Sequence, residues 1–162
     1  MDLILTEFSS RKNPRGTEMA YTWESLCEKF KKPTVTLETC EDYANMSNEE
    51  KTEAKDVGGF VGGRLKGGLR RKSALEYRSI LTLDADDADL TDVDDFRKAH
   101  PGVTFICHTT RSSTNTAPRL RWVFPLARPV TADEYPHTRL KPDECLVQES
   151  HHFRWDFVCE SL

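Results

Sequence analysis

The stretch Arg78-Ser-Ile-Leu-Thr-Leu-Asp-Ala-Asp-Asp-Ala-Asp89 decides the fold prediction, because its apolar run ends abruptly in carboxylates. The partly β-branched residues 80–83 are typical of a buried strand. Side chains two apart on a strand point to the same face, so Asp84 and Asp86 are expected to project together at the sheet edge. Oxygen ligands in this arrangement suit a hard divalent cation. The alternative interpretation is a solvated, Asp-rich turn that follows a strand.

Size and composition predict one soluble domain. The 162 residues suffice for a real core, and 37% hydrophobic with 31% charged residues describe a rather polar globule. We find no apolar run of membrane-spanning length and no secretory hydrophobic segment at the N-terminus. The prediction is therefore a cytoplasmic protein with no membrane partner.

The five cysteines are scattered, odd in number and without a Cys-x-x-Cys pair, so they indicate reduced thiols and not a disulfide framework. Near the C-terminus, Cys145, His151, His152 and Cys159 offer the ligand chemistry of a Zn²⁺ site. Their spacing matches no standard finger or knuckle. The alternative is a packed terminal segment with incidental sulfurs.

The formal net charge of −4 opposes a simple nucleic-acid-binding prediction, because a dedicated binder is usually basic overall. Any positive surface must therefore be local. The segment 56–72 is the candidate: it has three Gly-Gly pairs, and its cations are Arg64, Lys66, Arg70, Arg71 and Lys72. Glycine permits close backbone approach to a phosphate and the cations suit its charge. A flexible basic loop is the other interpretation.

The coarse element pattern predicts an α+β fold around a small sheet flanked by short helices. We expect an edge strand over Leu3–Phe8, further strands over 103–107 and 118–125, and helices after the N-cap residues Thr22, Ser47 and Thr91. In the last helix, Val93, Phe96 and Ala99 are expected to face inward. Arg119 and Arg121 alternate with apolar residues and are expected on the same rim as the carboxylates.

Several motifs in one order carry a family resemblance. These are the Gly-rich segment 56–63, the Ser79-Ile-Leu-Thr-Leu-Asp-Ala-Asp86 strand, the turn 109–114, and the segments 118–121 and 124–130. The chain resembles the N-terminal primase-polymerase-like region of phage replication proteins, within the archaeo-eukaryotic primase superfamily. The resemblance covers residues 19–135.

The resemblance implies a sheet with an RNA-recognition-motif-like core and template-directed nucleotide transfer with Mg²⁺ or Mn²⁺. Its first motif, a catalytic metal-binding acidic pair, is carried by Asp84 and Asp86. Its second motif, which contacts the phosphates of the incoming nucleotide, falls on Thr109 and Arg111, with arginine where histidine is usual. Arg119 and Arg121 are implied as further phosphate contacts. Nucleotides and a nucleic acid template are the implied partners.

The chain departs from the family pattern beyond Tyr135, where no strand ending in the third acidic motif is found. We therefore predict an incomplete primase-polymerase-like domain over 1–135 and a diverged tail over 136–162. Two functions stay open. One is a nucleotidyltransferase. The other is a non-catalytic phage inhibitor of a host defence nuclease, of the anti-CRISPR kind, which binds a CRISPR effector through the acidic residues 84–95. In the second case, zinc in the tail would be structural.

Overall fold

The computed structural model describes residues 2–89 and 91–134. These residues form two antiparallel β-sheets with short helices, which confirms the α+β prediction. The strands are β1 (Leu3–Phe8), β2 (Thr17–Tyr21), β3 (Gly59–Val61), β4 (Gly63–Leu65), β5 (Leu75–Ala85), β6 (Ile106–Thr109) and β7 (Leu120–Thr131). The helices are α1 (Trp23–Phe30), α2 (Cys40–Asn45), α3 (Asn48–Ala54) and α4 (Asp92–Ala99).

The first sheet has three strands in the order β2-β1-β3. The prediction that Leu3–Phe8 is an edge strand is wrong, because β1 is the central strand and pairs on both sides. The strand itself has the predicted bounds. Its apolar pattern identifies a strand but says nothing about how many neighbours that strand has.

The second sheet has four strands in the order β4-β5-β7-β6. Its longest ladder joins β5 to β7, from Tyr77 opposite Thr131 to Ala85 opposite Leu120. The predicted end of β7 at Pro125 is wrong, because the strand continues to Thr131. Pro125 lies beside an irregularity in this ladder, where a residue without an N–H is tolerated. The strand predicted over 103–107 begins later, at Ile106.

The second sheet is the middle layer of the fold. Helix α4 covers one face, where Val93 and Phe96 pack against Phe105, Trp122 and Phe124. On the other face, a second apolar cluster joins the first sheet and α1; it consists of Leu3, Leu5, Leu26, Ile80 and Val123. Ala99, predicted to face inward from α4, is exposed.

Local capping chemistry fixes the helix starts. The Thr22 side chain accepts the Ser25 N–H at the start of α1, and Ser47 and Glu50 form a reciprocal capping box at the start of α3, as predicted. Thr91 is the N-cap residue of α4 but makes no side-chain capping bond. Helix α2, which the sequence analysis missed, begins with a capping box between Thr39 and Asp42.

The glycine-rich segment is ordered where it contributes one strand to each sheet. Residues 59–65 form β3 and β4, so the flexible-loop interpretation is wrong for this part. A Cβ on Gly62 would overlap the Ile80 side chain, and one on Gly63 would overlap the Tyr77 backbone. These two glycines therefore permit the close approach of β4 to β5.

Across residues 2–89 and 91–134, no helix combines the length and apolar character needed to cross a bilayer.

Candidate functional site

A row of three polar side chains crosses the second sheet near the C-terminal end of β5. Asp84 of β5 lies opposite Arg121 of β7, and Arg121 lies opposite His108 of β6. Directly opposed residues on neighbouring antiparallel strands point to the same face. This face also carries Ile80 and Val123, which belong to the apolar cluster shared with the first sheet. The polar row therefore lies at the end of this buried face, at the rim of the sheet where β5 ends and β7 begins.

Asp84 and Arg121 form a two-point ion pair. The Arg121 Nε donates to Asp84 Oδ1 at 2.6 Å, and Nη2 donates to Oδ2 at 3.1 Å. Hydrogen bonding from the Arg121 guanidinium lowers the pKa of the Asp84 carboxyl below its usual value. Both side chains are accessible, with 54% of Asp84 and 39% of Arg121 exposed.

A second, looser ion pair lies at the same rim. Asp86 follows β5 and Arg119 precedes β7, one position beyond the last ladder pair of Ala85 with Leu120. The Arg119 Nη1 lies 3.4 Å from Asp86 Oδ1, and the Asp86 side chain is 72% exposed. The structure thus brings both predicted carboxylates and two of the predicted arginines together, each carboxylate paired with one arginine.

The turn between β6 and β7 is held closed by backbone hydrogen bonds. The Thr110 N–H donates to the Arg119 carbonyl at 2.9 Å, and the Ser113 N–H donates to the Thr110 carbonyl at 2.9 Å. Thr109, the last residue of β6, is half-buried opposite Leu120. The segment predicted to contact nucleotide phosphates therefore has a fixed backbone.

Arg111, on this turn, is directed to the segment around α2. Its Nη2 donates to Glu38, and its guanidinium lies 4.9 Å from the centre of the Tyr43 ring. The Tyr43 hydroxyl is 3.3 Å from Ser112 Oγ. Arg111 therefore links the β6–β7 turn to α2, unlike Arg119 and Arg121, which pair with the rim carboxylates.

His108 is a site residue that was not predicted from the sequence. Its Nδ1 is 2.9 Å from the Thr109 carbonyl, and its ring lies 5.4 Å from the Phe30 ring. Nε2 is buried and has no hydrogen-bond partner among residues 2–89 and 91–134. Its position in the strand could have predicted this role. His108 lies two residues after Ile106, so both side chains point to the same face of the sheet, which is also the face of Arg121.

Burial lowers the pKa of His108 below its ordinary value, because the charged imidazolium loses solvation. The unfolded chain, with a histidine pKa of about 6.5, then binds the proton more readily than the folded chain. The free energy of unfolding is therefore expected to fall as the pH drops below about 6.5.

Replacement His108→Gln is expected to reduce this acid sensitivity. Urea unfolding at pH 7.5 and pH 5.5 measures it in the wild type and in the variant. The matched control is His100→Gln, on the other side of the same sheet next to Phe96. Equal pH dependence in the wild type and His108→Gln would contradict a neutral, buried His108.

Comparison with known proteins identifies the family. The family model of the VapE N-terminal domain matches residues 1–141. The chain belongs to this family. The VapE N-terminal domain is a phage replication-associated domain, which indicates a phage-associated, replication-related role for the chain. No curated protein and no solved structure matches it.

The VapE N-terminal domain match extends on both sides of the predicted resemblance, which covered 19–135. Membership of the primase superfamily stays a prediction, and so does the division of the chain at residue 135. The predicted zinc ligands Cys145, His151, His152 and Cys159 lie outside the described residues. Within residues 2–89 and 91–134, no cluster of three or more Asp, Glu, His or Cys side chains could hold a metal. From the described residues, a cation at the rim would therefore have two carboxylates at most.

Proposed function

We propose that this VapE N-terminal domain carries out template-directed nucleotide transfer, with a divalent metal at Asp84 and Asp86 and nucleotide phosphates at Arg119 and Arg121. The observation that supports it is the pair of accessible Asp–Arg ion pairs at one rim of the second sheet. This rim presents both signs of charge side by side. A metal–triphosphate complex has the complementary arrangement of a cation bound to an anion.

The carboxylates fit Mg²⁺ or Mn²⁺ as partial ligands. Mg²⁺ in phosphate-transfer sites is commonly held by one or two carboxylates, with substrate phosphates and water completing the shell. Asp84 and Asp86 supply that number. When bound, the metal neutralises the triphosphate and makes the attacking hydroxyl a better nucleophile.

The arginines fit the phosphates, because a guanidinium presents parallel N–H donors that match two oxygens of one phosphate. Arg121 already makes two parallel hydrogen bonds of this kind to Asp84. Exchange of the carboxylate for a phosphate would leave the Arg121 guanidinium paired and would free the Asp84 carboxylate to hold a metal. Opening a loose, exposed ion pair such as Arg119–Asp86 costs about 0–1 kcal/mol. The two-point Arg121–Asp84 pair is stronger, so a phosphate must replace both of its hydrogen bonds.

The β6–β7 turn supplies the remaining groups that the resemblance implies. Thr109 and Arg111 are the proposed nucleotide contacts, and the backbone hydrogen bonds of this turn keep them in place. Arg111 is 29% exposed and pairs with Glu38, so its participation requires release of that carboxylate.

The test is incorporation of labelled nucleotides by the purified protein on a single-stranded template, with and without a primer. We expect synthesis in Mg²⁺ or Mn²⁺, with a product whose sequence follows the template. The activity should elute with the protein and should be abolished by excess chelator. Absence of synthesis from protein shown by circular dichroism to be folded would refute the proposal.

The inhibitor interpretation receives no support from a specific contact. Among the acidic residues 84–95, at least four pair with arginine or lysine, and these are Asp84, Asp86, Asp94 and Asp95. The surface is therefore less negative than the sequence suggests. Binding to a CRISPR effector stays a prediction.

A further inference from the structure

We propose that a second surface, remote from the rim carboxylates, binds the phosphate backbone of single-stranded DNA. This basic surface lies on the loop between β1 and β2 and on the segment between β4 and β5. All of its cations are exposed, and they are Arg11, Lys12, Arg15, Lys66, Arg70, Arg71 and Lys72.

Backbone hydrogen bonds join the two segments, which are far apart in sequence. The Gly16 N–H donates to the Gly68 carbonyl and the Arg70 N–H donates to the Pro14 carbonyl, both at 2.9 Å. Gly68 has φ +68°, and a Cβ there would overlap the Gly16 carbonyl. Only glycine therefore permits this junction. The cations are consequently collected on a fixed backbone and not on two independent loops.

Most of this positive charge is uncompensated. Arg11 and Lys12 pair with Glu53. Arg70 stacks on the Phe8 ring at 5.1 Å and donates to the Arg11 carbonyl. Among residues 2–89 and 91–134, no carboxylate pairs with Arg15, Lys66, Arg70, Arg71 or Lys72. A chain with a net charge of −4 thus concentrates on this surface five cations that pair with no carboxylate of the described residues.

The composition of the surface favours phosphates over a protein partner. Protein interfaces have an apolar core, but neither of the two segments that form this surface contains any of the exposed large apolar side chains of the described residues, which are Met19, Val35, Leu37 and Val57. Clustered lysine and arginine without apolar residues is the pattern of sequence-independent backbone binding. This inference rests on the proposed function only in taking DNA as the ligand.

The position of the surface separates it from the proposed chemistry. It adjoins the start of β5, whereas Asp84 is near the end of this 11-residue strand. At ~3.3 Å per residue, the two ends of β5 are about 33 Å apart. DNA can therefore be held here without contacting the rim, and binding can be measured without metal or nucleotide.

The experiment measures binding of a fluorescein-labelled 20-nucleotide single strand by anisotropy in chelator, over a range of salt concentrations. The test variant is Arg15→Gln/Lys66→Gln/Arg71→Gln/Lys72→Gln. The control removes the same charge from exposed cations elsewhere, as Lys31→Gln/Lys32→Gln/Lys98→Gln/Arg128→Gln. Circular dichroism checks that both variants fold.

We expect the test variant to bind about tenfold or more weakly at 50 mM salt. Its slope of log affinity against log salt should be smaller by roughly 3, since each phosphate contact to a single strand contributes about 0.7. The control should retain wild-type binding. Equal losses in both variants, or no loss in the test variant, would overturn the proposal. Wild-type protein that binds labelled poly-glutamate but not DNA would instead assign the surface to an acidic protein.

The two proposals fail separately. Asp84→Ala/Asp86→Ala is expected to bind the oligonucleotide like the wild type, because neither residue touches the basic surface. Binding without synthesis would support the basic surface and refute nucleotide transfer. Synthesis that persists in the test variant with unchanged DNA affinity would support nucleotide transfer and refute the basic surface.

Discussion

Replacing both Asp84 and Asp86 by alanine is expected to lower metal-dependent nucleotide incorporation by about 10³-fold or more. A metal in such a site stabilises the transition state by several kcal/mol, and each 1.36 kcal/mol is a factor of ten in rate. The substitution also leaves Arg119 and Arg121 without their carboxylates. The arginines can still bind phosphate, so we expect the loss to be mainly in kcat. Steady-state incorporation at saturating nucleotide measures it.

The matched control for this variant is Asp94→Ala/Asp95→Ala on α4. These aspartates are also exposed and paired, with Arg97 and Lys98. Exposed ion pairs contribute about 0–1 kcal/mol each, so both double variants should fold. Equal activity of the two variants would show that the rim carboxylates do not bind a catalytic metal.

Phe124→Ala is expected to lower the free energy of unfolding by about 3–5 kcal/mol, as is usual for truncation of a buried aromatic residue. Phe124 is 1% exposed and lies between the layers of the fold, with ring contacts to Phe96, Phe105 and Trp122. Removing its ring opens a cavity between α4 and the second sheet. Because domains of this kind are stable by about 5–15 kcal/mol, the loss is a large fraction of the total. Urea unfolding followed by tryptophan fluorescence measures it.

Leu37→Ala provides the contrast, since Leu37 is fully exposed. Its effect is expected to lie within about 0.5 kcal/mol of zero. A loss below about 1 kcal/mol for Phe124→Ala would mean that α4 does not close over the second sheet as described.

The elements governed by short-range chemistry could be predicted from the sequence. The side chains of Thr22 and Ser47 form hydrogen bonds to backbone groups three residues away, so the starts of α1 and α3 are determined by neighbouring residues. The apolar run 80–83 likewise predicted the strand that ends beside Asp84. Strand parity predicted that Asp84 and Asp86 project together, and alternation with apolar residues predicted Arg119 and Arg121 on the same rim. The α+β class follows from these elements.

The pairing of these strands could not be predicted, because the residues of a strand do not show which other strands form hydrogen bonds with its edges. Only the tertiary structure placed β1 in the centre of its sheet. Only the register of β5, β7 and β6 aligned Asp84, Arg121 and His108 in one row. Likewise, only the backbone contacts of Gly16 and Arg70 merged two basic segments into one surface. The sequence by itself determined which charged groups the chain carries and on which local elements they lie. The long-range packing of strands decided which of those charges meet, because that packing depends on the whole core and not on any one segment.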